Sequence, residues 1–227
     1  MAHFVKGVVL AAGLGTRLRP LTYFVPKALV SVGGKPLVDY VLEWLRLNGV
    51  KDVAVVGYYM QDVLARYLAE RHPDIAFIRS RRLLGTAGQL YYVMEWVGGD
   101  DAVVVNTDVL TNLELSAPFS LHKSSGAKLT IVAYRLRQQM RFGALHVEGE
   151  RLAAWREKPV SEYVTAAGIY IISGVKLGEE YLDMDALAQS LIPHVAVYVA
   201  KEAQFVDVGT LEDLRKAAAL PLSPLKP

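Results

Sequence analysis

Short apolar runs alternate with segments of helical spacing along the first half of the chain. Between residues 37 and 47, apolar side chains recur at positions 37, 38, 41, 42 and 45, and Gly49 follows where a helix end favours a left-handed residue. Unbroken apolar runs are instead typical of parallel strands that are covered on both faces. The pattern predicts strands over residues 4–11, 53–56, 75–78, 102–105 and 128–134, and helices over residues 37–47, 60–68, 87–97 and 118–125.

The rhythm changes after about residue 134. Two short apolar segments, 143–147 and 152–155, are joined by Glu148, Gly149 and Glu150, a pattern typical of a β-hairpin. Further strands are predicted over 166–172, 195–199 and 205–206, and further helices over 184–192 and 211–219. The first half therefore predicts a parallel sheet, onto which an antiparallel second half is inserted. The predicted fold class is α/β, a three-layer sandwich around a Rossmann-like, mixed and mainly parallel sheet.

Composition narrows the class of protein. The 227 residues carry a net charge of +2, 52% are hydrophobic, and cysteine is absent. The low net charge argues against a protein that coats nucleic acid, and the apolar fraction argues against disorder. No apolar run approaches the ~20 residues of a membrane helix, and the N-terminus lacks the form of a signal peptide. We expect a cytoplasmic globular protein with no nucleic-acid or membrane partner.

The segment with the most chemical content is the glycine-containing loop at residues 10–22, directly after the first predicted strand. Its glycines let backbone N–H groups approach a phosphate, and the planar guanidinium of Arg17 fits phosphate oxygens. The loop is not a dinucleotide-binding fingerprint, because Leu18 stands where the third glycine is required and Pro20 interrupts a helix. It is not a P-loop either, because the chain has no Gly-Lys-Ser/Thr sequence.

Two aspartates follow predicted strands. Asp108 comes after the run 102–105, and Asp207 after the run 205–206. Ligands of open α/β sheets bind at the carboxyl ends of strands, and Mg²⁺ prefers oxygen ligands. The alternative is that each aspartate caps a loop or a helix, since Asp207 lies shortly before the predicted helix 211–219. We expect the two carboxylates to hold one Mg²⁺.

The ordered set of motifs resembles the sugar-1-phosphate nucleotidyltransferases, also called NDP-sugar pyrophosphorylases. The loop at 10–22 is followed by Pro26-Lys27-Ala28-Leu29, Gly33-Gly34-Lys35-Pro36-Leu37, Gly85-Thr86-Ala87-Gly88, Asn106-Thr107-Asp108, Phe142-Gly143, Glu157-Lys158-Pro159, Gly168-Ile169-Tyr170 and Asp207-Val208-Gly209-Thr210. The resemblance covers nearly the whole chain. It implies an enzyme that joins a nucleoside triphosphate to a sugar 1-phosphate and releases pyrophosphate, with Mg²⁺ as cofactor.

The resemblance also implies a domain organisation and residue roles. It implies one domain over 1–227, mainly nucleotide-binding over 1–134 and mainly sugar-binding over 135–220, with an irregular tail at 221–227. The implied catalytic residues are Arg17, Lys27 and Asp108, with Lys27 on the α-phosphate, and the implied metal ligands are Asp108 and Asp207. The implied nucleotide-binding residues are Leu10, Ala11, Ala12, Gly13, Gly15, Thr16, Arg17, Lys27, Gly85, Thr86 and Gly88. The implied sugar-phosphate-binding residues are Gly143, Glu157, Lys158 and Gly168.

The substrates stay open at this point. The sequences Asn-Thr-Asp and Gly-Thr-Ala-Gly are similar to the mannose-1-phosphate guanylyltransferase branch, our first interpretation, whereas Leu-Ala-Ala-Gly is similar to uridylyl and thymidylyl members. Ala166 stands where many members carry asparagine, which leaves the sugar open. A non-catalytic sugar-nucleotide sensor on the same fold is a further alternative. The resemblance is to short members without a C-terminal β-helix. The role of Arg79, Arg81 and Arg82 and the existence of a homo-oligomer are also open.

Overall fold

Seven strands form one central sheet in the computed structural model, which describes residues 5–220. In chain order the strands and helices are β1 (Val5–Ala11), β2 (Ser31–Val32), β3 (Lys35–Pro36), α1 (Leu37–Leu47), β4 (Val53–Gly57), α2 (Gln61–Arg71), β5 (Ala76–Arg79), α3 (Gly85–Gly88), α4 (Met94–Val97), β6 (Asp101–Asn106), β7 (Val109–Thr111), α5 (Ser116–Ser125), β8 (Leu129–Gln139), β9 (Ala144–Glu148), β10 (Arg151–Arg156), β11 (Val160–Ile172), α6 (Met184–Ser190), β12 (Val195–Ala200), β13 (Phe205–Asp207) and α7 (Leu211–Ala219). The predicted irregular tail at 221–227 lies outside the described residues.

The sheet has the strand order β12-β8-β11-β6-β1-β4-β5. Strands β6, β1, β4 and β5 are parallel, and β12 is parallel to β8. Strand β11 pairs antiparallel with both β6 and β8 and so joins the two parallel groups. The mixed, mainly parallel sheet is therefore confirmed.

Helices cover both faces of this sheet, because neighbouring residues of a strand point to opposite sides. One buried cluster joins the sheet to α1 and α2 through Val9, Val55, Val103, Leu42, Leu45, Leu64 and Leu68. The other joins it to α4 and α6 through Val8, Val56, Val104, Val97, Met184 and Leu187. These clusters make the predicted three-layer sandwich. Among residues 5–220, no helix combines the length and the apolarity that crossing a membrane requires.

Two local expectations are wrong. The second half is not antiparallel throughout: the segment 173–194, which includes α6, carries the chain across one face, so that β12 enters the sheet parallel to β8. The predicted helix 87–97 is divided into α3, a 3₁₀ turn at Gln89–Tyr92, and α4. Its buried residues Ala87, Leu90 and Val93 are three positions apart, and the 3₁₀ period keeps such residues on one face.

Two short ladders complete the frame around the glycine loop. Strand β13 pairs antiparallel with β7, and β2 pairs with β3. A third buried cluster lies beneath them and contains Leu18, Val30, Val32, Leu37, Leu110, Val208 and Ala217. Because Leu18 is fully buried there, this cluster anchors the glycine loop to the fold.

Candidate active site

The first glycine loop follows β1 and is fixed by its own contacts. Gly15 has a φ of 62°, and a Cβ at this position would lie 2.8 Å from Cγ2 of Thr22. The Thr22 hydroxyl donates to the Gly15 carbonyl at 2.8 Å, and the Leu18 amide donates to it at 2.9 Å. Gly13 differs, because a Cβ there would have no atom within 4 Å. Gly15 therefore shapes the turn, whereas Gly13 leaves open space beside it.

The second glycine loop packs against a segment that sequence reasoning missed, residues 180–183. The amides of Ala87 and Gly88 donate to the Leu182 carbonyl at 3.0 and 2.8 Å. A Cβ at Gly85 would lie 2.7 Å from that carbonyl oxygen, and a Cβ at Gly88 would lie 2.5 Å from the carbonyl oxygen of Glu180. Both glycines are thus required for this close packing. No local pattern marks the segment, because its partners lie almost a hundred residues away.

Thr86 and Asp183 join the same two segments through side chains. Oδ1 of Asp183 accepts a hydrogen bond from the Thr86 amide at 3.2 Å, and the Thr86 hydroxyl oxygen accepts one from the Met184 amide at 2.9 Å. Thr86 therefore satisfies a free N–H group in the first turn of α6. The Tyr181 hydroxyl donates to Oδ2 of Asp183 at 2.8 Å. These bonds fix the wall that faces the first glycine loop.

A cavity of about 320 Å³ lies between the two glycine loops. Seven predicted nucleotide-binding residues line it: Leu10, Ala12, Gly13, Arg17, Lys27, Gly85 and Thr86. Asp108 also lines it, whereas Ala11, Gly15, Thr16 and Gly88 do not. The other lining residues are Leu83, Gln89, Asn106, Thr107, Tyr181 and Asp183. The predicted residues thus account for the first glycine loop better than for the opposite wall of the cavity.

The β7–β13 ladder brings the two predicted metal ligands together. Asp207 lies opposite Val109, and the Val208 amide donates to the Asp108 carbonyl at 2.9 Å. Lys27 forms an ion pair with Oδ2 of Asp108, and the two side chains are only 15% and 13% exposed. The sequence did not predict this pair, since the partners are 81 positions apart.

Asp207 is held among charges of both signs. The pKa of its carboxyl is raised, first by partial desolvation, although the residue as a whole is exposed, and then by the negative charge of Asp108. Lys27 and Arg17 act in the opposite direction. A Cβ at Gly209 would lie 2.6 Å from Oδ1 of Asp207 and 3.0 Å from two nitrogens of Arg17, so these side chains flank the glycine.

This donor set fits Mg²⁺. Among the described residues, no group of three or more histidine, aspartate or glutamate side chains is arranged as a metal site. Magnesium in proteins that bind phosphates is commonly held by one or two carboxylates, with waters and phosphate oxygens as further ligands. Asp108 and Asp207 supply such a pair, and their mutual repulsion is of the kind that a cation relieves.

A second, smaller cavity of about 150 Å³ adjoins the aspartate pair. Its lining residues are Asn106, Val109, Tyr134, Ala166, Ala167, Gly168, Tyr170, Phe205 and Asp207. Gly168 has a φ of 71° at a register shift in β11, and a Cβ there would lie 2.9 Å from Nδ2 of Asn106. Because Asp108 lines the first cavity and Asp207 the second, the carboxylates lie where the two cavities meet.

The other predicted sugar-side residues lie on or beside the hairpin of β9 and β10. The Trp155 indole N–H donates to Oε2 of Glu157 at 3.1 Å, and a Cβ at Gly143 would lie 2.9 Å from that oxygen. Lys158 has a φ of 43°, and its carbonyl accepts a hydrogen bond from Gln139. The structure therefore groups Gly143 with Glu157, but neither these two nor Lys158 lines the second cavity.

Comparison with known proteins decides the family. The family model described as nucleotidyl transferase matches residues 6–223. The chain belongs to the nucleotidyl transferase family. The family resemblance seen in the motifs is thereby confirmed, and members of this family typically depend on a divalent metal ion.

Individual nucleotidyl transferases extend the comparison. A mannose-1-phosphate guanyltransferase of Yarrowia lipolytica is 32% identical, over 97% of this chain and 65% of its own length. One from Debaryomyces hansenii is 35% identical, over 74% of this chain and 50% of its own. The chain thus spans half to about two thirds of the length of these curated relatives. The crystal structure of HddC from Yersinia pseudotuberculosis has a TM-score of 0.71 and 25% identity, and covers 94% of this chain and 97% of its own.

The basic cluster that the sequence left open lies outside both cavities of this nucleotidyl transferase. Arg79 pairs with Asp62 on the surface at 2.6 Å. Arg81 and Arg82 are exposed, and the Arg82 carbonyl accepts a hydrogen bond from the side chain of Gln89 at 2.9 Å. The Arg82 backbone therefore holds Gln89, which lines the larger cavity, while the charged groups of Arg81 and Arg82 lie on the exposed surface.

Proposed function

We propose that the protein is a mannose-1-phosphate guanylyltransferase-like enzyme, which converts GTP and mannose 1-phosphate into GDP-mannose and pyrophosphate. The observation that carries the proposal is the cluster of Arg17, Lys27, Asp108 and Asp207 at the junction of the two cavities. The guanylyl identity is supported by the names of the relatives above and by the motifs Asn106-Thr107-Asp108 and Gly85-Thr86-Ala87-Gly88.

The nucleoside triphosphate occupies the larger cavity in this proposal. Its base lies towards Gly85 and Thr86, and its phosphates lie towards Gly13, Arg17 and Lys27. Arg17 supplies a planar donor pair for phosphate oxygens, and the Lys27 ammonium exchanges its contact with Asp108 for one with the α-phosphate. This exchange neutralises charge on the group that is transferred.

The chemical step is a direct in-line displacement. An oxygen of the sugar phosphate attacks the α-phosphorus, a P–O bond forms, and the bond to the bridging oxygen breaks so that pyrophosphate leaves with its electron pair. A phosphate dianion is nucleophilic without a general base, so the residues position substrates and neutralise charge. Asp108 and Asp207 would hold Mg²⁺, which when bound neutralises phosphate charge.

The sugar 1-phosphate occupies the smaller cavity. Gly168 and Ala166 leave backbone accessible to the sugar, and the stacked rings of Tyr134 and Phe205, with centroids 4.9 Å apart, give an apolar wall. We propose that Lys158 binds the sugar phosphate and that Glu157 accepts hydrogen bonds from sugar hydroxyls. Gly143 permits the close approach that these contacts need. The exposed hairpin then has to reach over the smaller cavity when the sugar binds.

A pyrophosphate-release assay tests the proposed function. GTP, ATP, CTP, UTP and dTTP are each combined with mannose 1-phosphate or glucose 1-phosphate, and Lys27→Ala serves as the inactive control. We expect the highest kcat/KM for GTP with mannose 1-phosphate. A preference for dTTP or UTP with glucose 1-phosphate would favour the thymidylyl or uridylyl activity that Leu10-Ala11-Ala12-Gly13 resembles. Binding of a nucleotide sugar without release of pyrophosphate from any substrate pair would show a non-catalytic sensor.

Fractionation of cells tests the cytoplasmic location that we propose from the sequence.

A further inference from the structure

We propose that Gln89 selects the base of the nucleotide by accepting a hydrogen bond from the donor edge of guanine. The inference rests on the proposed function, because it assigns a specificity-determining residue to the same cavity. Gln89 was not among the predicted site residues, and it lies one position beyond the Gly85-Thr86-Ala87-Gly88 motif.

The orientation of the Gln89 amide is fixed by one contact. Its Nε2 donates to the Arg82 carbonyl at 2.9 Å. A carbonyl oxygen can only accept, so the amide nitrogen must face Arg82 and the amide oxygen must face elsewhere. Gln89 is only 2% exposed, so the orientation of its amide is set by contacts within the protein, beside the cavity that the residue lines.

The amide oxygen that results has no partner. Among residues 5–220, Oε1 of Gln89 is buried and accepts no hydrogen bond. Buried polar atoms in folded proteins nearly always have a partner, and an apolar side chain of similar size would fill the same space without an unpaired oxygen. Because Gln89 lines the cavity while its oxygen is covered, a ligand has to displace the neighbouring atoms that cover this oxygen, and it then supplies the donor that the protein itself does not.

A second acceptor on the same wall indicates which donor edge fits. Asp183 lines the cavity, and its carboxylate accepts from the Thr86 amide and the Tyr181 hydroxyl. A carboxylate has about four lone-pair sites, so it keeps acceptor capacity beyond these bonds. The wall therefore contains an amide oxygen, which the base has to uncover, and a carboxylate, and both accept and do not donate.

Guanine is the common base whose pairing edge has adjacent donors, N1–H and N2–H₂. Uracil and thymine place one N–H between two carbonyl oxygens, which a carboxylate and an amide oxygen repel. Adenine and cytosine each offer one amino group next to a ring nitrogen that accepts. A wall of acceptors thus favours guanine both by pairing its donors and by leaving the acceptors of other bases unpaired.

Direct binding of GTP, ATP and UTP with Mg²⁺, measured by calorimetry without any sugar phosphate, tests the inference. We expect the wild type to bind GTP most tightly. We expect Gln89→Met to weaken GTP binding roughly 10–100-fold and to change ATP and UTP binding less than about threefold. Without ligand, Gln89→Met should melt close to the wild type, because the loss of the hydrogen bond to the Arg82 carbonyl is offset by the removal of the unpaired oxygen.

Gln61→Met is the matched control. Oε1 of Gln61 is also buried without a partner among the described residues, but Gln61 does not line the cavity. The Gln61→Met variant should therefore keep the preference of the wild type for GTP over ATP and UTP. Equal weakening of all three nucleotides in Gln89→Met, with a lower melting temperature, would show a structural side chain and overturn the inference. A wild-type protein that binds GTP no more tightly than ATP and UTP would also overturn the inference. Because binding is measured without turnover, failure of the proposed transfer reaction would not be mistaken for either result.

Discussion

At the scale of single residues, the two aspartates of the candidate site have different neighbours. Asp108 is paired with Lys27 in a setting where both side chains are largely buried. Asp207 has no such close partner among the described residues, and the charge of Asp108 acts against its ionisation. Removal of the Asp207 charge alone and removal of the Asp108 charge alone should therefore have opposite effects on the stability of the metal-free protein.

Asp207→Asn should raise the melting temperature in the absence of metal, because it relieves repulsion with Asp108. Asp108→Asn should lower the free energy of unfolding by about 1–3 kcal/mol, because it leaves the Lys27 ammonium buried without its partner. Both variants should lose roughly 10²–10³-fold in kcat with Mg²⁺. Calorimetry in chelator and the pyrophosphate assay measure the two effects. A variant that melts lower yet turns over normally would show that its aspartate is a structural cap.

His122 gives the protein a defined sensitivity to acid. Its ring is buried, Nδ1 lies 2.7 Å from the Thr130 hydroxyl and Nε2 lies 2.7 Å from the Ser173 hydroxyl. Ser173 donates to Oδ1 of Asp101 at 2.5 Å, so its oxygen accepts a hydrogen bond from Nε2–H of His122. Burial lowers the pKa of His122 below its ordinary value of 6.5, the nearby Asp101 opposes this shift, and Lys123 adds to it.

The lowered pKa of His122 predicts that the free energy of unfolding decreases as the pH falls below about 6.5. In that range the unfolded chain binds a proton at His122 that the folded protein does not bind. His122→Gln should reduce the slope of unfolding free energy against pH, between pH 7 and 5, by up to about 1.4 kcal/mol per unit. Urea titrations at several pH values measure this slope. Burial acts to raise the pKa of Asp101, but Lys123 and Ser173 outweigh it and hold that pKa below the ordinary value of 3.8. The stability that the Asp101 carboxylate contributes is therefore lost only as the pH falls towards and below 3.8, outside the range from pH 7 to 5. Identical slopes in the two proteins would contradict the prediction.

At the scale of elements, the hairpin of β9 and β10 is separable from the sheet. Its two strands pair with each other, and apolar side chains such as Leu145, Val147 and Trp155 are more than half exposed. Just before the hairpin, the Met140 amide donates to the Pro159 carbonyl at 3.0 Å, so β8 and β11 are already closed at this point.

Replacement of residues 141–158 by a two-residue Asn-Gly turn should therefore preserve the fold, since such a turn suits an antiparallel pair. We expect the melting temperature and the affinity for GTP to stay close to those of the wild type. Turnover should fall roughly 100-fold or more, because Gly143, Glu157 and Lys158 are removed. Calorimetry with GTP and the pyrophosphate assay provide the two readouts. Unchanged turnover would exclude all three residues from sugar binding.

The elements also show what sequence could and could not predict. Helix α1 begins and ends as its apolar period predicts, and Gly49 has the expected positive φ of 77°. Local period and composition determine such features. The segment 180–183, the break after α3 and the Lys27–Asp108 pair depend on contacts between distant positions, which leave no local pattern. The position of Asp108 and Asp207 at the ends of strands was predictable, but the ladder that joins them was not.

At the scale of the whole molecule, strand β11 ties the two halves of the chain together. It lies between β6 of the first half and β8 in the central sheet. We expect the 227-residue protein to unfold in one transition, with coincident tryptophan fluorescence and far-UV circular dichroism. A fragment of residues 1–134 should not fold cooperatively, because β8 would lack the strand that links it to β6. Two separate transitions in the intact protein would instead show two domains, contrary to the single domain that we propose.

The short ladder between β7 and β13 also bears on the order in which the protein becomes able to act while it is being made. The glycine loop, Lys27 and Asp108 are all synthesised before Asp207, which follows Asp108 by 99 positions. At about 5–20 residues per second, roughly 5–20 s separate the appearance of Asp108 from that of Asp207. Throughout this interval the nascent chain has only one of the two carboxylates that we propose as metal ligands. The ladder between β7 and β13, and with it the proposed metal site, can therefore form only after Asp207 has been made.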